Sequence, residues 1–195
     1  MGCRASDRDI RIGDDEGRRA LLVDGVIVSV AVDGIEPPSG YWAAMLPEGS
    51  PRSALLLGLG GGTLAQLLAN RYPNIEIVGV DYDSELVQFA RDQFGLDLPN
   101  LEIVIDDAFE YVERCDRSFD YVAVDLFAGY DFQRGVLAKP FLRRIREVVG
   151  QGGEVAFNLF EDRRTDRALN RIGRILRQRR VEKVGKNVVA HYRGS

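Results

Sequence analysis

The segment ALLLGLGGGTLAQLL, residues 54–68, decides the fold of this chain. Its first four residues form an apolar run that is typical of a buried parallel strand, and the residues from Leu64 onward have helical spacing. Gly58, Gly60 and Gly62 lie between the two elements. Glycines at this spacing permit positive φ angles and a close approach between backbone and ligand. The segment therefore predicts either a ligand-binding loop at the carboxyl edge of a parallel sheet or a tight turn that binds nothing.

Strand and helix patterns alternate from residue 53 to the end of the chain. We predict strands over residues 54–57, 75–80, 101–105, 119–126, 154–160, 181–184 and 187–192. We predict helices over residues 64–71, 84–94, 109–114, 141–149 and 165–179. Repeated strand–helix units are typical of an α/β fold, in which a doubly wound parallel sheet carries helices on both faces.

The N-terminal segment has a different pattern. Residues 1–19 are polar, and we expect this segment to be partly frayed. Residues 20–32 predict two short strands around the pair Asp24-Gly25, which is a strong signal for a β-hairpin. A proline-containing linker follows, and then a short helix is predicted over residues 41–46.

Length and composition exclude several classes of protein. The 195 residues suit a small appendage over residues 1–40 and one main domain over residues 41–195. The apolar share of 45% is ordinary for a soluble globule, and no apolar run approaches the roughly 18 residues that suggest a membrane span. The N-terminus has no apolar signal-peptide core, so we expect a cytoplasmic protein. Two cysteines and one histidine argue against a metal site built from these residues.

Charge is distributed unevenly along the chain. Residues 1–138 contain 11 basic and 24 acidic residues, whereas residues 139–186 contain 14 and 6. The acidic part predicts attraction of a cationic ligand. Arginines at helical spacing form one stripe, at Arg164, Arg167, Arg171 and Arg174. Because no aromatic residues interleave with them, we interpret the stripe as a solvated helix face and predict neither a nucleic-acid nor a membrane partner.

Acidic residues follow three of the predicted strands. Asp81 ends the second strand, Asp106 and Asp107 follow the third, and Asp125 ends the fourth. A carboxylate in the first of these positions can accept hydrogen bonds from ribose hydroxyls, and one after the third strand can reach an adenine amino group. Residues 60–65 also fit a dinucleotide pattern, but the chain has no second half to hold a nicotinamide. The sequence thus favours S-adenosylmethionine (AdoMet) or a derivative as the ligand.

Five segments together carry a family resemblance. In chain order they are ALLLGLGGGTLAQLL, IVGVDYDSELVQFAR, IVIDDAFEYV, FDYVAVDLF and GGEVAFNLF. They resemble the AdoMet-binding motifs of class I methyltransferases, and more narrowly those of the spermidine synthase-like branch. The hairpin LLVDGVIVSV resembles the small N-terminal β-domain of polyamine aminopropyltransferases. The resemblance implies a Rossmann-like seven-stranded sheet in the order 3-2-1-4-5-7-6, with strand seven antiparallel, and it suggests a homodimer.

The resemblance also implies roles for individual residues. The three loop glycines would line the methionine moiety, Asp81 would hold the ribose, and Asp125 would face the reacting centre as the candidate general base. The implied cofactor-binding set is Gly58, Gly60, Gly62, Asp81, Tyr82, Asp107, Ala108 and Asp125. In this set Asp107 and Ala108 would contact the adenine.

The chain departs from the aminopropyltransferase pattern at four places. Val28 stands where that pattern has a glutamine, Trp42-Ala43 where it has His-Glu, Ala128 where it has a second aspartate, and Gly60 where it has a loop aspartate. Aminopropyl transfer needs carboxylates that take the proton of an amine and hold its distal ammonium, which these side chains cannot do. Gly60 also removes a negative charge near the amino-acid end of the ligand, which favours AdoMet because AdoMet keeps its carboxylate.

We therefore predict an AdoMet-dependent transferase, with methyl transfer to a small-molecule acceptor, such as a cationic amine, as the favoured reaction. Aromatic rings could pack around the methyl sulfonium and the acceptor, from Trp42, Phe127, Tyr130 and Phe132. Two alternatives remain open: an aminopropyltransferase that uses decarboxylated AdoMet, and a non-catalytic AdoMet-binding protein. His191 is interpreted as a packing residue, and Cys115 has no evident partner for nucleophilic chemistry.

Overall fold

The structure is a computed structural model that describes residues 8–32, 38, 40–128 and 131–194. Its strands are β1 (Ile10–Asp15), β2 (Arg18–Val23), β3 (Val26–Val30), β4 (Ser53–Leu57), β5 (Glu76–Asp81), β6 (Leu101–Ile105), β7 (Phe119–Val124), β8 (Phe127–Ala128), β9 (Asp131–Phe132), β10 (Val149–Phe160), β11 (Arg177–Val184) and β12 (Asn187–Arg193). Its α-helices are α1 (Tyr41–Ala44), α2 (Thr63–Arg71), α3 (Ser84–Phe94), α4 (Ala108–Arg114), α5 (Lys139–Val148) and α6 (Thr165–Gly173), and a 3-10 helix spans Arg134–Leu137.

Seven strands form the central sheet, in the order β11-β12-β10-β7-β4-β5-β6. Numbered along the chain within this sheet and read from the β6 edge, the order is 3-2-1-4-5-7-6, so the expected order is confirmed. Strand β12 pairs antiparallel with both β10 and β11, and the other neighbours are parallel. The fold is therefore the Rossmann-like methyltransferase arrangement, with its single antiparallel strand in the expected place.

Both faces of the sheet are buried, which explains the continuous apolar run in β4. Leu55 and Leu57 point into a cluster formed with α4, α5 and α6. Ala54 and Leu56 point into a second cluster formed with α1, α2, α3 and the N-terminal strands. Because a strand exposes alternate side chains to opposite faces, a strand that is covered twice has no position for a polar residue.

The N-terminal strands form a three-stranded antiparallel sheet, in the order β1-β2-β3, rather than the two-stranded hairpin that we expected. Strand β1 lies within the segment that was expected to be frayed, so that expectation is wrong from Ile10 onward. Glu16 and Gly17 connect β1 to β2 with φ angles of 52° and 83°, and Asp24-Gly25 connects β2 to β3 with 51° and 79°. Glu-Gly is a weaker turn signal than Asp-Gly, and for that reason the first turn escaped sequence analysis.

The C-terminal bounds also differ from the prediction. Helix α6 ends at Gly173, and residues 177–179, which we assigned to the helix, begin strand β11. Arginine favours helices weakly, but pairing with β12, from Arg177 opposite Arg193 onward, decides the conformation here. Among the described residues, no helix is both long and apolar enough to cross a membrane.

Candidate functional site

The glycine loop between β4 and α2 lies at the carboxyl edge of the sheet and approaches the end of β7 very closely. Gly58 has a φ of 89°, and a Cβ atom on it would lie 2.2 Å from the carbonyl oxygen of Asp125. Its amide donates to the carbonyl of Val80 (2.9 Å), and the amide of Asp125 donates to the carbonyl of Leu57 (2.9 Å). Only glycine satisfies both the backbone conformation and the contact distance.

The N-terminal sheet packs directly onto this loop. The amide of Gly61 donates to the hydroxyl of Ser29 (2.7 Å), and the hydroxyl of Thr63 bonds both the amide and the carbonyl of Val30 (2.8 Å each). Ser29 and Thr63 are buried. The glycine loop is thus held in shape from outside by strand β3.

Asp81 lies at the end of β5 and contacts the same loop. Its Oδ2 accepts hydrogen bonds from the amides of Leu59 (3.1 Å) and Gly60 (2.8 Å), and its Oδ1 accepts one from Asp83 (3.0 Å). Burial raises the pKa of Asp81, and the hydrogen bonds from these amides oppose that shift. The carboxylate therefore connects the strand end expected to hold a ribose with the loop expected to hold the methionine moiety.

The next strand end carries the residues expected to contact an adenine. Asp107 is the N-cap of α4 and accepts hydrogen bonds from the amides of Phe109 (2.8 Å) and Glu110 (3.2 Å), which fixes its position. Ala108 begins that helix and is buried. Tyr82, beside Asp81, is 59% exposed at the same edge, so its ring is available to a ligand. The neighbouring Asp106 is paired with Arg114 instead.

Asp125 follows β7 and is held by side chains from two other elements. The hydroxyl of Tyr41 on α1 donates to its Oδ2 (3.0 Å), and the amide nitrogen of Asn158 on β10 donates to its Oδ1 (2.8 Å). Burial raises its pKa to about 6, although both hydrogen bonds favour the charged form and lower it. A carboxylate with this pKa is ionised at neutral pH and remains a useful proton acceptor.

Sequence analysis missed the residues that orient Asp125. The carbonyl oxygen of the Asn158 side chain accepts a hydrogen bond from the side-chain amide of Asn187 on β12 (2.9 Å). This bond fixes which end of the Asn158 amide faces Asp125. Tyr41 lies far from Asn158 and Asn187 in the sequence, and the only available signal was the polar residue Asn158 within the apolar run of β10.

The expected ring of aromatic side chains is only partly present. Trp42 is 6% exposed and packs in the core with its ring stacked on Tyr41 (4.4 Å between centroids), so its assignment to the acceptor pocket is wrong. Phe127 packs edge-on against Phe160 (5.6 Å between centroids). Tyr130 and the side chain of Phe132 lie outside the described part of the structure.

We predicted no role in the reaction for three further sets of side chains: the arginine stripe, Cys115 and His191. The four arginines of the stripe, Arg164, Arg167, Arg171 and Arg174, are all exposed. Cys115 is buried, and its thiol lies 3.6 Å from the carbonyl of Arg117. His191 is buried as expected, but both of its ring nitrogens contact polar groups.

Comparison with known proteins identifies the family. A family model described as a methyltransferase domain matches residues 54–153, which is just over half of the chain. The chain belongs to this family. Its fold and relatives place it in the spermidine synthase-like branch of the class I methyltransferase fold.

Two curated relatives and one solved structure are similar to the chain. The polyamine aminopropyltransferase of Pyrobaculum neutrophilum is 32% identical over 166 residues, which cover 78% of this chain and 57% of that protein. The eEF1A lysine and N-terminal methyltransferase homolog of Drosophila melanogaster is 33% identical over 138 residues, which cover 64% of this chain and 20% of that protein. A probable spermidine synthase from Corynebacterium glutamicum superimposes with a TM-score of 0.81 at 20% identity, over 97% of this chain and 78% of that chain.

The chain thus spans little more than half of the first relative and a fifth of the second. The cofactor that the family implies is AdoMet or its decarboxylated form. The described residues fit such a nucleoside. Asp81 ends β5, glycines leave the loop without side chains, and the exposed ring of Tyr82 lies beside Asp81.

Proposed function

We propose that this protein is an AdoMet-dependent methyltransferase that transfers a methyl group to an amine. The donor would bind along the glycine loop, Asp81 and Asp107, and the acceptor would bind beside Asp125. AdoMet, when bound, supplies the electrophilic methyl group. The chain's own residues hold the donor, orient the acceptor and receive its proton.

The observation that carries methyl transfer rather than aminopropyl transfer is the position of Gly60. Gly60 has a φ of 54°, and a Cβ atom on it would lie 3.3 Å from the carbonyl oxygen of Val28. Gly60 therefore lies where strand β3 covers the loop. The resemblance to aminopropyltransferases implies that an aspartate here would put a carboxylate beside the amino-acid end of a bound donor. Without it, the carboxylate of AdoMet meets no like charge from the loop, since residues 57–64 contain no acidic side chain.

The acceptor role follows from the surroundings of Asp125. The two donors, Tyr41 and Asn158, keep its carboxylate in one orientation, so its remaining lone pairs have a fixed direction. An ammonium acceptor would be attracted to this half-buried negative charge. A base with a pKa of about 6 can then take the proton that the amine must lose before it becomes a nucleophile.

Calorimetric titration tests the proposal. The wild-type protein is titrated with AdoMet, S-adenosylhomocysteine, decarboxylated AdoMet and methylthioadenosine. We expect preference for the first two ligands, which keep the carboxylate. Preference for the decarboxylated pair contradicts methyl transfer, and binding of none contradicts both kinds of transfer.

A matched pair of variants tests the reason for that preference. Gly60→Asp introduces the carboxylate, and Gly60→Asn introduces the same volume without the charge; both residue types tolerate a positive φ. We expect Gly60→Asp to weaken AdoMet binding at least about tenfold more than Gly60→Asn does, which corresponds to about 1.4 kcal/mol. Equal losses in the two variants would show that space rather than charge matters here.

Aminopropyl transfer is the second candidate, and the N-terminal sheet favours it. The structure of a probable spermidine synthase matches the chain over 97% of its length, N-terminal strands included. The acidic composition of residues 1–138 would also attract a polyamine. Product analysis with decarboxylated AdoMet and putrescine, against AdoMet with the same amine, separates the two reactions.

A further inference from the structure

A buried polar cluster lies behind α1 and is not used by the proposed reaction. It consists of Glu154 on β10, His191 on β12 and Arg180 on β11, which all point at the segment that follows α1. Glu154 and His191 are buried, and His191 has no exposed surface at all. Charged groups are removed from water in this way only where they find partners.

The cluster binds the backbone of α1 and of the turn after it. Nε2 of His191 lies 2.7 Å from the carbonyl oxygen of Ala44, and Nη2 of Arg180 donates to the same oxygen (3.0 Å) and to that of Leu46 (2.7 Å). Glu154 accepts a hydrogen bond from the amide of Glu48 (3.1 Å). Helix α1 is a single turn, so its last carbonyls have no partner within the helix, and these side chains supply the donors.

The contacts with Glu154 and Ala44 favour a protonated imidazole. Nδ1 of His191 contacts the Oε1 of Glu154, and Nε2 faces the Ala44 oxygen, so both nitrogens face acceptors. A neutral ring has one N–H and one nitrogen with a lone pair. With an ionised Glu154, the nitrogen that has no proton would therefore face an acceptor. Burial by itself would raise the pKa of Glu154, but the contacts with His191, the amide of Glu48 and Arg180 together lower that pKa, which keeps the carboxylate ionised.

Loss of the Nε2 proton would rearrange these bonds. Arg180 Nη2 also lies 3.0 Å from Nε2 of His191, so a neutral ring would accept a hydrogen bond from Arg180. The Ala44 oxygen would then lose the hydrogen bond from His191 and would face the lone pair of Nε2 at 2.7 Å. It would also compete with the ring for the hydrogen bond from Arg180. One proton therefore decides whether His191 contributes to holding the end of α1, which Arg180 and Glu154 also hold.

The other charged groups near the cluster are consistent with a cationic ring. Glu48, on the turn after α1, lies 3.8 Å from Nε of Arg180, and Glu182 on β11 lies 3.5 Å from its Nη1. Tyr121 on β7 donates its hydroxyl hydrogen to the carbonyl of Met45. Three carboxylates thus surround two cations, and the tyrosine, whose pKa burial raises well above its usual value, stays neutral.

Helix α1 connects this cluster to the candidate active site. Tyr41, which donates to Asp125, lies one helical turn before Ala44, which His191 holds. We infer that His191 is a positioning residue for Asp125: as an imidazolium bound to Glu154 and to the Ala44 carbonyl, it locks α1 on the sheet and so keeps Tyr41 on the carboxylate. The inference rests on the proposed function only for the role of Asp125, because the lock itself is a property of the chain without ligand.

Two residue types occur once in the chain, which makes the test direct. His191 is the only histidine, and Trp42, on α1, is the only tryptophan. Nitrogen-15 NMR of the imidazole reports the protonation of both ring nitrogens, and tryptophan fluorescence reports the environment of α1. We expect both nitrogens to be protonated at pH 6.5, because both face acceptors, and Trp42 emission at the same pH to be that of a buried indole.

Variants separate the lock from general loss of structure. In His191→Gln the amide nitrogen replaces the Nε2 donor, so we expect Trp42 emission to stay blue. In His191→Leu residue 191 supplies no donor and only Arg180 donates to the Ala44 oxygen, so we expect a red shift. Release of Tyr41 removes one hydrogen bond to Asp125, and carboxyl carbon-13 NMR is expected to show Asp125 titrating at higher pH in His191→Leu than in His191→Gln.

The inference is overturned if the ring is neutral at pH 6.5, or if Trp42 emission in His191→Leu is the same as in the wild-type protein and in His191→Gln. If Asp125 titrates at the same pH in the two variants, His191 does not position Asp125, and the fluorescence alone then shows whether it holds α1 on the sheet. None of these measurements uses AdoMet, so failure of the proposed function is recognised separately, by the absence of AdoMet binding in a protein whose spectra behave as expected.

Discussion

Two parts of the candidate site are held together by different kinds of hydrogen bond. The donor edge consists of the glycine loop, Asp81 and Asp107, at the ends of β4, β5 and β6, and backbone amides make most of its hydrogen bonds. The acceptor edge consists of Tyr41, Asp125 and Asn158, and side chains make the bonds there. The first edge is a property of local backbone conformation, and the second is a property of how distant segments meet.

The difference separates features of the site that any chain with a strand, a glycine loop and a helix shares from features that belong to this chain. A strand, a glycine loop and a following helix bring the backbone and a carboxylate to the same place in any chain that contains them. Tyr41 and Asp125, in contrast, are 84 residues apart, and Asn158 is 33 residues beyond Asp125. A change at the donor edge should therefore damage folding and donor binding, whereas a change at the acceptor edge should damage the reaction alone.

The largest expected effect is at the donor edge, in Gly58→Ala. The new Cβ would meet the Asp125 carbonyl at 2.2 Å, and the φ of 89° is unfavourable for alanine. We expect a loss of roughly 3–5 kcal/mol in the free energy of unfolding, measured by urea denaturation. Gly17→Ala is the control, since its φ is 83° but nothing lies near its Cβ, and a loss of about 1 kcal/mol is expected there. Similar losses in the two variants would refute the importance of the close approach.

The next effect separates activity from stability at the acceptor edge. We expect Asp125→Asn to reduce methyl transfer at least about 100-fold, because the base is lost. The pKa of Asp125 is raised to about 6, so the folded state binds its proton more tightly than the unfolded state does. That contribution to stability is complete below pH 3.8 and is lost as the pH rises through 6.

It follows that Asp125→Asn should be more stable than the wild type above pH 6.5, by about 2 kcal/mol, and not below pH 4. Thermal unfolding at pH 4 and pH 8 measures this difference. Asp116→Asn, at an exposed position, is the control and should change neither activity nor stability. A destabilised Asp125→Asn protein at pH 8 would show that the carboxylate is needed for folding and would remove the contrast between the two edges.

The smallest effect concerns the orientation of the base. Asn158→Asp replaces the amide donor by an acceptor and places two carboxyl groups side by side, so the pair retains a proton to higher pH. We expect the acidic limb of the pH–rate profile to move up by about one pH unit, with little change in AdoMet affinity. Asn100→Asp is the matched control, because Asn100 donates to a carbonyl (Ile75, 2.8 Å) at the opposite end of the sheet. A shift in both variants would point to a general electrostatic effect.

Sequence analysis reached the donor edge almost completely. The loop, Asp81 and Asp107 lie where the strand–helix pattern put them, and the strand order was correct. At the acceptor edge, sequence analysis found Asp125 alone. It was wrong where a pairing partner decides conformation, as at Arg177, and where a turn has an unusual residue, as at Glu16. It also assigned Trp42 to the pocket, because the sequence does not show which side of a one-turn helix faces the core.

The family resemblance implied the order of the strands, and the sequence by itself determined the strands, the helices and the identity of the residues at the carboxyl edge of the sheet. These depend on periodicity, turn residues and glycine, which act over a few residues. Only the tertiary structure decided that Tyr41, Asn158 and Asn187 surround one carboxylate, and that His191 and Arg180 hold the end of α1. Such clusters join segments with no local signal in common, because the free energy that assembles them comes from the packing of the whole fold and not from their own neighbours in the chain.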